Sequence, residues 1–244
     1  MSGHNKWSKI KNTKGAEDAK RAKVFQKLSR EIYMAVKQGG PEPNSNPALR
    51  MVMDKAKSAN MPKSNIERAI DKGSNQNSGE DYDEVTYEGY GPNGIAVYVE
   101  TLTDNTNRTL SNVRTIFNKN GGSLGESGSV AFMFDRKGYI AIEREGLDVD
   151  EDTMLMEALE AGAEDLQVSD EVFEIYSQAE DFGDVRDALK EDGYELASAE
   201  LTMVPKTLID LPADKAETFE NLIDKLEDDD DVQNVYYTTE LPED

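Results

Sequence analysis

A chain of 244 residues, 37% hydrophobic and 32% charged, is long enough for two or three domains and a sizeable core. The absence of cysteine excludes disulfides, thiolate metal sites and cysteine nucleophiles, and agrees with a reducing compartment. No stretch approaches the ~18 apolar residues of a membrane helix, and neither a secretory hydrophobic region nor an acid-poor transit segment opens the chain, so a cytoplasmic protein with no membrane partner is expected. The net charge of −23 is unevenly divided: residues 1–78 hold 16 Lys and Arg against 7 Asp and Glu, and residues 79–244 hold 11 against 43. A head of charge +9 on a remainder of −32 points to a polyanion-binding end and an acidic, solubilising rest.

Residues 1–15 are rich in Lys, Asn, Ser and Gly without apolar periodicity, which predicts an extended arm. Over residues 16–38, Phe25, Leu28, Ile32, Ala35 and Val36 recur on one helical face, with Lys20, Lys23, Lys27 and Arg30 roughly opposite. Gly39-Gly40-Pro41 stops this helix. Asn46 then caps a second one, with Pro47 at its first position and Leu49, Val52, Met53 and Ala56 along it. Pro62 opens a third helix, or Ser64 caps it with Glu67 at capping-box spacing. In either case Ile66, Ala69 and Ile70 face inward, Gly73 ends it, and residues 74–79 read as a polar linker.

Strands at 84–89 and 95–102 are joined by Gly91-Pro92-Asn93-Gly94, a strong turn signal. The next helix shows Leu110, Val113, Ile116 and Phe117 on one face, ends at Gly121 and Gly122, and precedes a strand at 129–134. Strand 139–142, helix 152–161, strands 165–168 and 172–177, helix 181–191 and strand 196–203 then follow the βαββαβ order of a ferredoxin-like sandwich. Strand 207–211, helix 213–226 and strand 232–238 supply what the 84–134 segment lacks. The expected fold is multidomain α and β: a basic arm and three-helix bundle (1–79), a discontinuous α+β domain (80–135 plus 205–244), and a ferredoxin-like domain (136–204) inserted into it.

Candidate contacts for nucleic acid are His4, Lys6, Trp7, Lys9, Lys11 and Lys14 on the arm, Lys20, Arg21, Lys23, Lys27 and Arg30 on the first helix, and Lys55, Lys57, Lys63, Arg68 and Lys72 on the other two. Each cation placed on a phosphate releases condensed counterions, and roughly five or six such contacts give a log–log salt slope of about −5 on duplex DNA. Trp7 either stacks on an unpaired base, worth about 1–3 kcal/mol, or docks on the bundle as an apolar anchor. The closely linked second and third helices resemble a helix-turn-helix with Lys63, Ser64 and Asn65 at the front of the reading helix; most short helix pairs, however, only pack. His4, the lone histidine, suits a backbone or phosphate hydrogen bond better than a metal. The cluster from Asp104 to Arg108 has the placement of an anion site at a helix N-terminus, although capping accounts for it. Residues 227–231 form an acidic run, either merely solvated or set to repel nucleic acid from the far end. No nucleophile elbow, metal-ligand spacing or phosphate-binding loop is present, so neither an enzyme nor a cofactor is expected.

Gly3-His4-Asn5-Lys6-Trp7, Lys20-Arg21-Ala22-Lys23-Val24-Phe25, Asn60-Met61-Pro62-Lys63 with Ile66-Glu67-Arg68-Ala69-Ile70, Tyr87-Glu88-Gly89-Tyr90-Gly91-Pro92, Thr103-Asp104-Asn105-Thr106-Asn107-Arg108 and Gly121-Gly122-Ser123-Leu124-Gly125 together resemble the YebC family, in order and across essentially the whole chain. The resemblance implies a helical N-terminal bundle followed by two α+β domains, one inserted in the other. It also implies a function similar to DNA-binding transcriptional regulators, or to ribosome-associated translation factors that relieve stalling at proline-rich stretches, with mitochondrial translational activators among the relatives. The leading expectation is a monomeric nucleic-acid-binding regulator acting on promoter DNA, and the alternative a translation factor on ribosomal RNA. A third class, a protein–protein adaptor, would keep its partner through nuclease and high salt.

Overall fold

The computed structural model describes the backbone of residues 2–14, 17–79 and 81–242, and the side chains of residues 6–12, 17–79 and 81–242. Among these residues there are eight α-helices and two four-stranded antiparallel sheets. Four helices come first: α1 (Ser2–Lys14), α2 (Asp18–Gly39), α3 (Pro47–Ser58) and α4 (Lys63–Ser74). The apolar stripe of α2 holds Leu28, Ile32, Ala35 and Val36, and it packs with Leu49 and Ala56 of α3 and Ile66 and Ala69 of α4 into one core. Asn46 locks this arrangement. Its side-chain oxygen accepts from the Leu49 N–H at 3.1 Å, capping α3, while its amide donates to the carbonyls of Ala35 and Gly40 at 2.8 Å each. A Cβ on Gly39 would stand 2.7 Å from that amide, so the end of α2 requires glycine there. Pro62, not Ser64, precedes α4, and no side chain caps it.

The segment expected as an extended arm is the helix α1. Trp7 explains the difference: it is 4% exposed, buried against Tyr139, Ala141, Val172 and Tyr176, with Ile10 beside it. Tertiary burial of one helical face sustains a helix whose local composition is poor. Trp7 therefore docks on a sheet and not on the bundle. Replacing Trp7 by alanine is expected to cost about 3–5 kcal/mol of local docking energy. Limited proteolysis within residues 6–12 measures it, and unchanged resistance would contradict the anchoring role.

The first sheet has the order β3-β1-β2-β8, from β1 (Asp83–Tyr90), β2 (Ala96–Thr103), β3 (Ser123–Leu124) and β8 (Val232–Tyr237). The β1–β2 hairpin runs from Asp83 opposite Thr103 to Tyr90 opposite Ala96, and Asn93 takes the left-handed conformation its turn demands (φ 62°). Helices α5 (Thr106–Lys119) and α8 (Ala213–Asp228) cover one face through Val113, Phe117, Phe219, Leu222 and Leu226. The short β3 had no pattern to betray it. It pairs with Gly89 and Tyr90, where a Cβ on Gly89 would lie 2.7 Å from the Ser123 carbonyl oxygen.

Two expected strands are absent. Residues 131–133 form a 3-10 turn instead, because the buried Glu88 carboxylate gathers the N–H groups of Gly128, Val130 and Ala131 at 2.5, 3.0 and 2.6 Å. Residues 207–211 form no strand, although the Ile209 N–H donates to Thr238 at 2.7 Å just beyond β8.

The second sheet has the order β5-β6-β4-β7, from β4 (Phe134–Glu143), β5 (Asp165–Val168), β6 (Val172–Gln178) and β7 (Ser198–Pro205). Side chains alternate along β4 and β6. Ile140, Ile142, Phe173 and Ile175 face the helices α6 (Glu151–Ala161) and α7 (Phe182–Glu191), and Tyr139, Ala141, Val172 and Tyr176 face Trp7.

Candidate nucleic-acid interface

Lys20, Lys23, Lys27 and Arg30 recur at steps of three and four, so α2 carries them on one side. That side meets the end of α8 and the acidic run after it. The Lys23 ammonium donates to the Asp228 carbonyl oxygen at 2.7 Å and to its carboxylate at 2.8 Å, and lies 3.9 Å from Asp230. Lys27 donates to the Glu227 carbonyl oxygen. Lys9 of α1 pairs with the Glu227 carboxylate at 2.6 Å and lies 4.8 Å from the centre of the Tyr237 ring. The C-terminal carbonyls of a helix carry partial negative charge, so α8 and its carboxylates attract the same cations. The acidic run faces the basic helices and does not lie at a far end from them.

Asp231 sits at the centre of this contact with its side chain 3% exposed. It accepts from Arg30 of α2 at 3.0 Å, from Arg108 of α5 through Nε at 3.1 Å and Nη2 at 2.9 Å, and from the Thr109 hydroxyl at 2.8 Å. Arg30 also donates to the carbonyl oxygens of Leu102 and Asp230 at 3.0 and 3.2 Å. Burial favours the neutral acid, but the hydrogen bonds from Arg108, Thr109 and Arg30 outweigh it and hold the Asp231 carboxyl below its ordinary range. The Asp104–Arg108 cluster is a cap: the Asn105 side chain accepts the Arg108 N–H at 3.0 Å.

A second network ties α1 and α3 to the second sheet. Lys6 pairs with Glu200 of β7 at 2.6 Å, and Lys55 lies 3.3 Å from Glu31 and 3.9 Å from Glu200. Burial opposes charge at Glu200, yet Lys6 and Lys55 keep its carboxyl low. Lys11 pairs with Glu171 at 2.9 Å, and the Trp7 indole N–H reaches the same carboxylate at 3.4 Å.

The sixteen sequence candidates thus divide. His4 and Lys14 lie outside the described side chains. Lys6, Lys9, Lys11, Lys23, Lys27, Arg30 and Lys55 are occupied by acidic or carbonyl groups from elsewhere in the chain, and Trp7 is core. Lys20, Arg21, Lys57, Lys63, Arg68 and Lys72 are exposed; of these Arg21 pairs locally with Asp18 and Lys63 with Glu67 at 3.6 Å, and Lys72 is engaged as well. Such exposed pairs are worth at most about 1 kcal/mol each and yield readily to a phosphate. The acidic partners Glu171, Glu200 and Asp231 carried no motif that could have marked them among 50 acids. Among the described residues no group of acidic or histidine side chains could hold a metal ion, and no helix is long and apolar enough to cross a membrane.

A helical head seated by ion pairs on two antiparallel sheets defines the class of mixed α/β protein at hand, and known proteins share it. A family model described as the TACO1/YebC protein N-terminal domain matches residues 5–76, and one described as the TACO1/YebC second and third domain matches residues 82–239. The chain belongs to the TACO1/YebC family. It is 62% identical over 244 residues, all of both chains, to a "Probable transcriptional regulatory protein" of Ligilactobacillus salivarius (strain UCC118). A protein of the same name from Lactobacillus helveticus (strain DPC 4571) is 64% identical over 236 residues, 97% of each chain. The crystal structure of a conserved hypothetical protein, Aq1575, from Aquifex aeolicus superposes with a TM-score of 0.83 at 45% identity over 93% of each chain.

Proposed function

We propose that this protein is a cytoplasmic, non-enzymatic regulator of gene expression that binds DNA through the exposed cations of α2, α3 and α4. The observation that carries this reading is the outward-facing set Lys20, Arg21, Lys57, Lys63, Arg68 and Lys72 on a chain of net charge −23. The relatives' name, probable transcriptional regulatory protein, supports it. Lys63 and Ser64 are exposed in the first turn of α4, the position from which a helix-turn-helix reads a major groove. The chain divides into units 1–79, 80–135 with 205–244, and 136–204. This division is supported by the pairing of β8 with β2 and by the separate sheet that β4 to β7 make.

Charge reversal of Lys63, Arg68 and Lys72 to Glu is expected to weaken duplex binding on the order of a hundredfold and to lower the salt slope by roughly 2 to 3, as lost phosphate contacts require. Fluorescence anisotropy on labelled promoter fragments measures both, and an unchanged affinity and slope would sink the reading. One observation favours ribosomal RNA instead: the exposed cations are spread over three helices, a dispersal that suits irregular RNA. Co-sedimentation with ribosomes, and pausing at consecutive prolines in a deletion strain, separate the two targets.

A further inference from the structure

A cleft of about 230 Å³ runs between the helical head and the second sheet's helices, where α3 faces α7. One stripe of each helix lines it: Arg50, Asp54 and Lys57 from α3, and Arg186, Asp187 and Lys190 from α7. Four cations meet two carboxylates there, in a chain whose net charge is −23. Lys190 takes up Asp54 at 2.8 Å, and Arg186 Nε donates to Asp187 at 3.1 Å. Two positive charges are left. Arg50 is held in place by donating from Nη1 to the carbonyl oxygens of Pro43 and Asn44, both at 3.0 Å, and among the described residues it forms no ion pair. The exposed Lys57 side chain forms neither an ion pair nor a hydrogen bond among those residues.

Arg186 is the unusual member. Its side chain is 7% exposed, and its guanidinium carbon lies 5.7 Å from the centre of the Phe182 ring. Only Nε is engaged; among the described residues Nη1 and Nη2 donate to nothing. Neither Nη atom is closed off from solvent, so both can donate to a group that enters the cleft. Its planar fork matches two oxygens of one oxyanion, and Arg50 and Lys57 add the charge that such a group, unlike water, would balance.

We propose that this cleft binds a phosphate group, gripped in bidentate fashion by Arg186 Nη1 and Nη2 and balanced by Arg50 and Lys57. Because its walls come from α3 and α7, an occupied cleft also clamps the helical head to the second sheet. The site shares Lys57 with the DNA reading but rests on Arg186, which that reading does not use: the phosphate belongs either to a free phosphate-bearing molecule or to a nucleic-acid strand that continues past α4.

The test uses the full chain at constant ionic strength, titrated with inorganic phosphate and, separately, with short oligonucleotides bearing or lacking a 5′-phosphate. Arg186→Lys keeps the charge and loses the fork, and Lys57→Gln, at an exposed position, keeps the proposal testable if the first variant folds poorly. Binding weakened about tenfold by Arg186→Lys and several-fold by Lys57→Gln is expected. If inorganic phosphate shows this response the ligand is a free anion; if only oligonucleotides show it, the ligand is a strand. No saturable binding of either probe, or binding indifferent to both variants, overturns the proposal, and duplex binding that persists alongside leaves the DNA reading standing.

Discussion

Replacing Asp231 by alanine is expected to destabilise the protein by about 3 kcal/mol, the lower end of the cost of breaking a buried ion pair, because the two arginines keep other partners. Arg30 on α2, Arg108 on α5 and the Thr109 hydroxyl lose their shared acceptor, while Arg30 keeps the carbonyls of Leu102 and Asp230 and Arg108 keeps Asp104. Urea unfolding measures the loss, and a cost near that of an exposed pair would refute the central role of this carboxylate. The pH dependence follows from the sign of the shift. The folded-state value lies below the ordinary 3.8, so the stabilisation is complete above that value and is lost as pH falls through the lower, folded one. Asp231→Asn, which cannot ionise, should flatten the stability curve below about pH 4.

Neutralising the acidic run, with Glu227→Gln, Asp228→Asn and Asp230→Asn together, is expected to strengthen nucleic-acid binding on the order of tenfold at low salt. Lys9 and Lys23 are matched by these carboxylates, and each lysine released to phosphate steepens the salt slope by about 0.9 on duplex DNA. Lys27 responds less, because it holds a backbone oxygen that the substitutions leave in place. Burial moreover lowers its tendency to stay charged more than Glu227 restores it. Anisotropy across a salt series decides the matter. If slope and affinity both stay at their original values, these lysines serve only to seat the head on the first sheet.

Local signals reached far into this fold. The 3.6-residue stripe of α2, the Asn46–Pro47 start of α3, the hairpin around Asn93 and the alternating helices and strands from β4 to β7 all lie within a few residues of the features that encode them. What was not legible depends on partners distant along the chain. Lys23 meets Asp228 across 205 positions and Lys11 meets Glu171 across 160, and nothing local to either member names the other. The same cause hid the helical state of α1, whose periodicity amounts to Trp7 and Ile10 and matters only because the second sheet offers a hydrophobic face. Residues 129–134 have strand composition, yet a single glutamate on β1 claims their amides. Arg50, Arg186 and Lys190 carry no local signal for a related reason: each is an ordinary cation of an amphipathic helix until α3 and α7 are brought face to face.

Trp7 is the only tryptophan of the chain, and it lies at the seam between the basic head and the second sheet. The molecule therefore carries its own optical probe of that seam. In the docked state the indole is shielded from solvent and its emission belongs at short wavelength, protected from iodide. Any ligand that lifts α1 from Tyr139 and Tyr176 will move the emission to the red and open the ring to quenching, whereas one that clamps the head will leave the spectrum still.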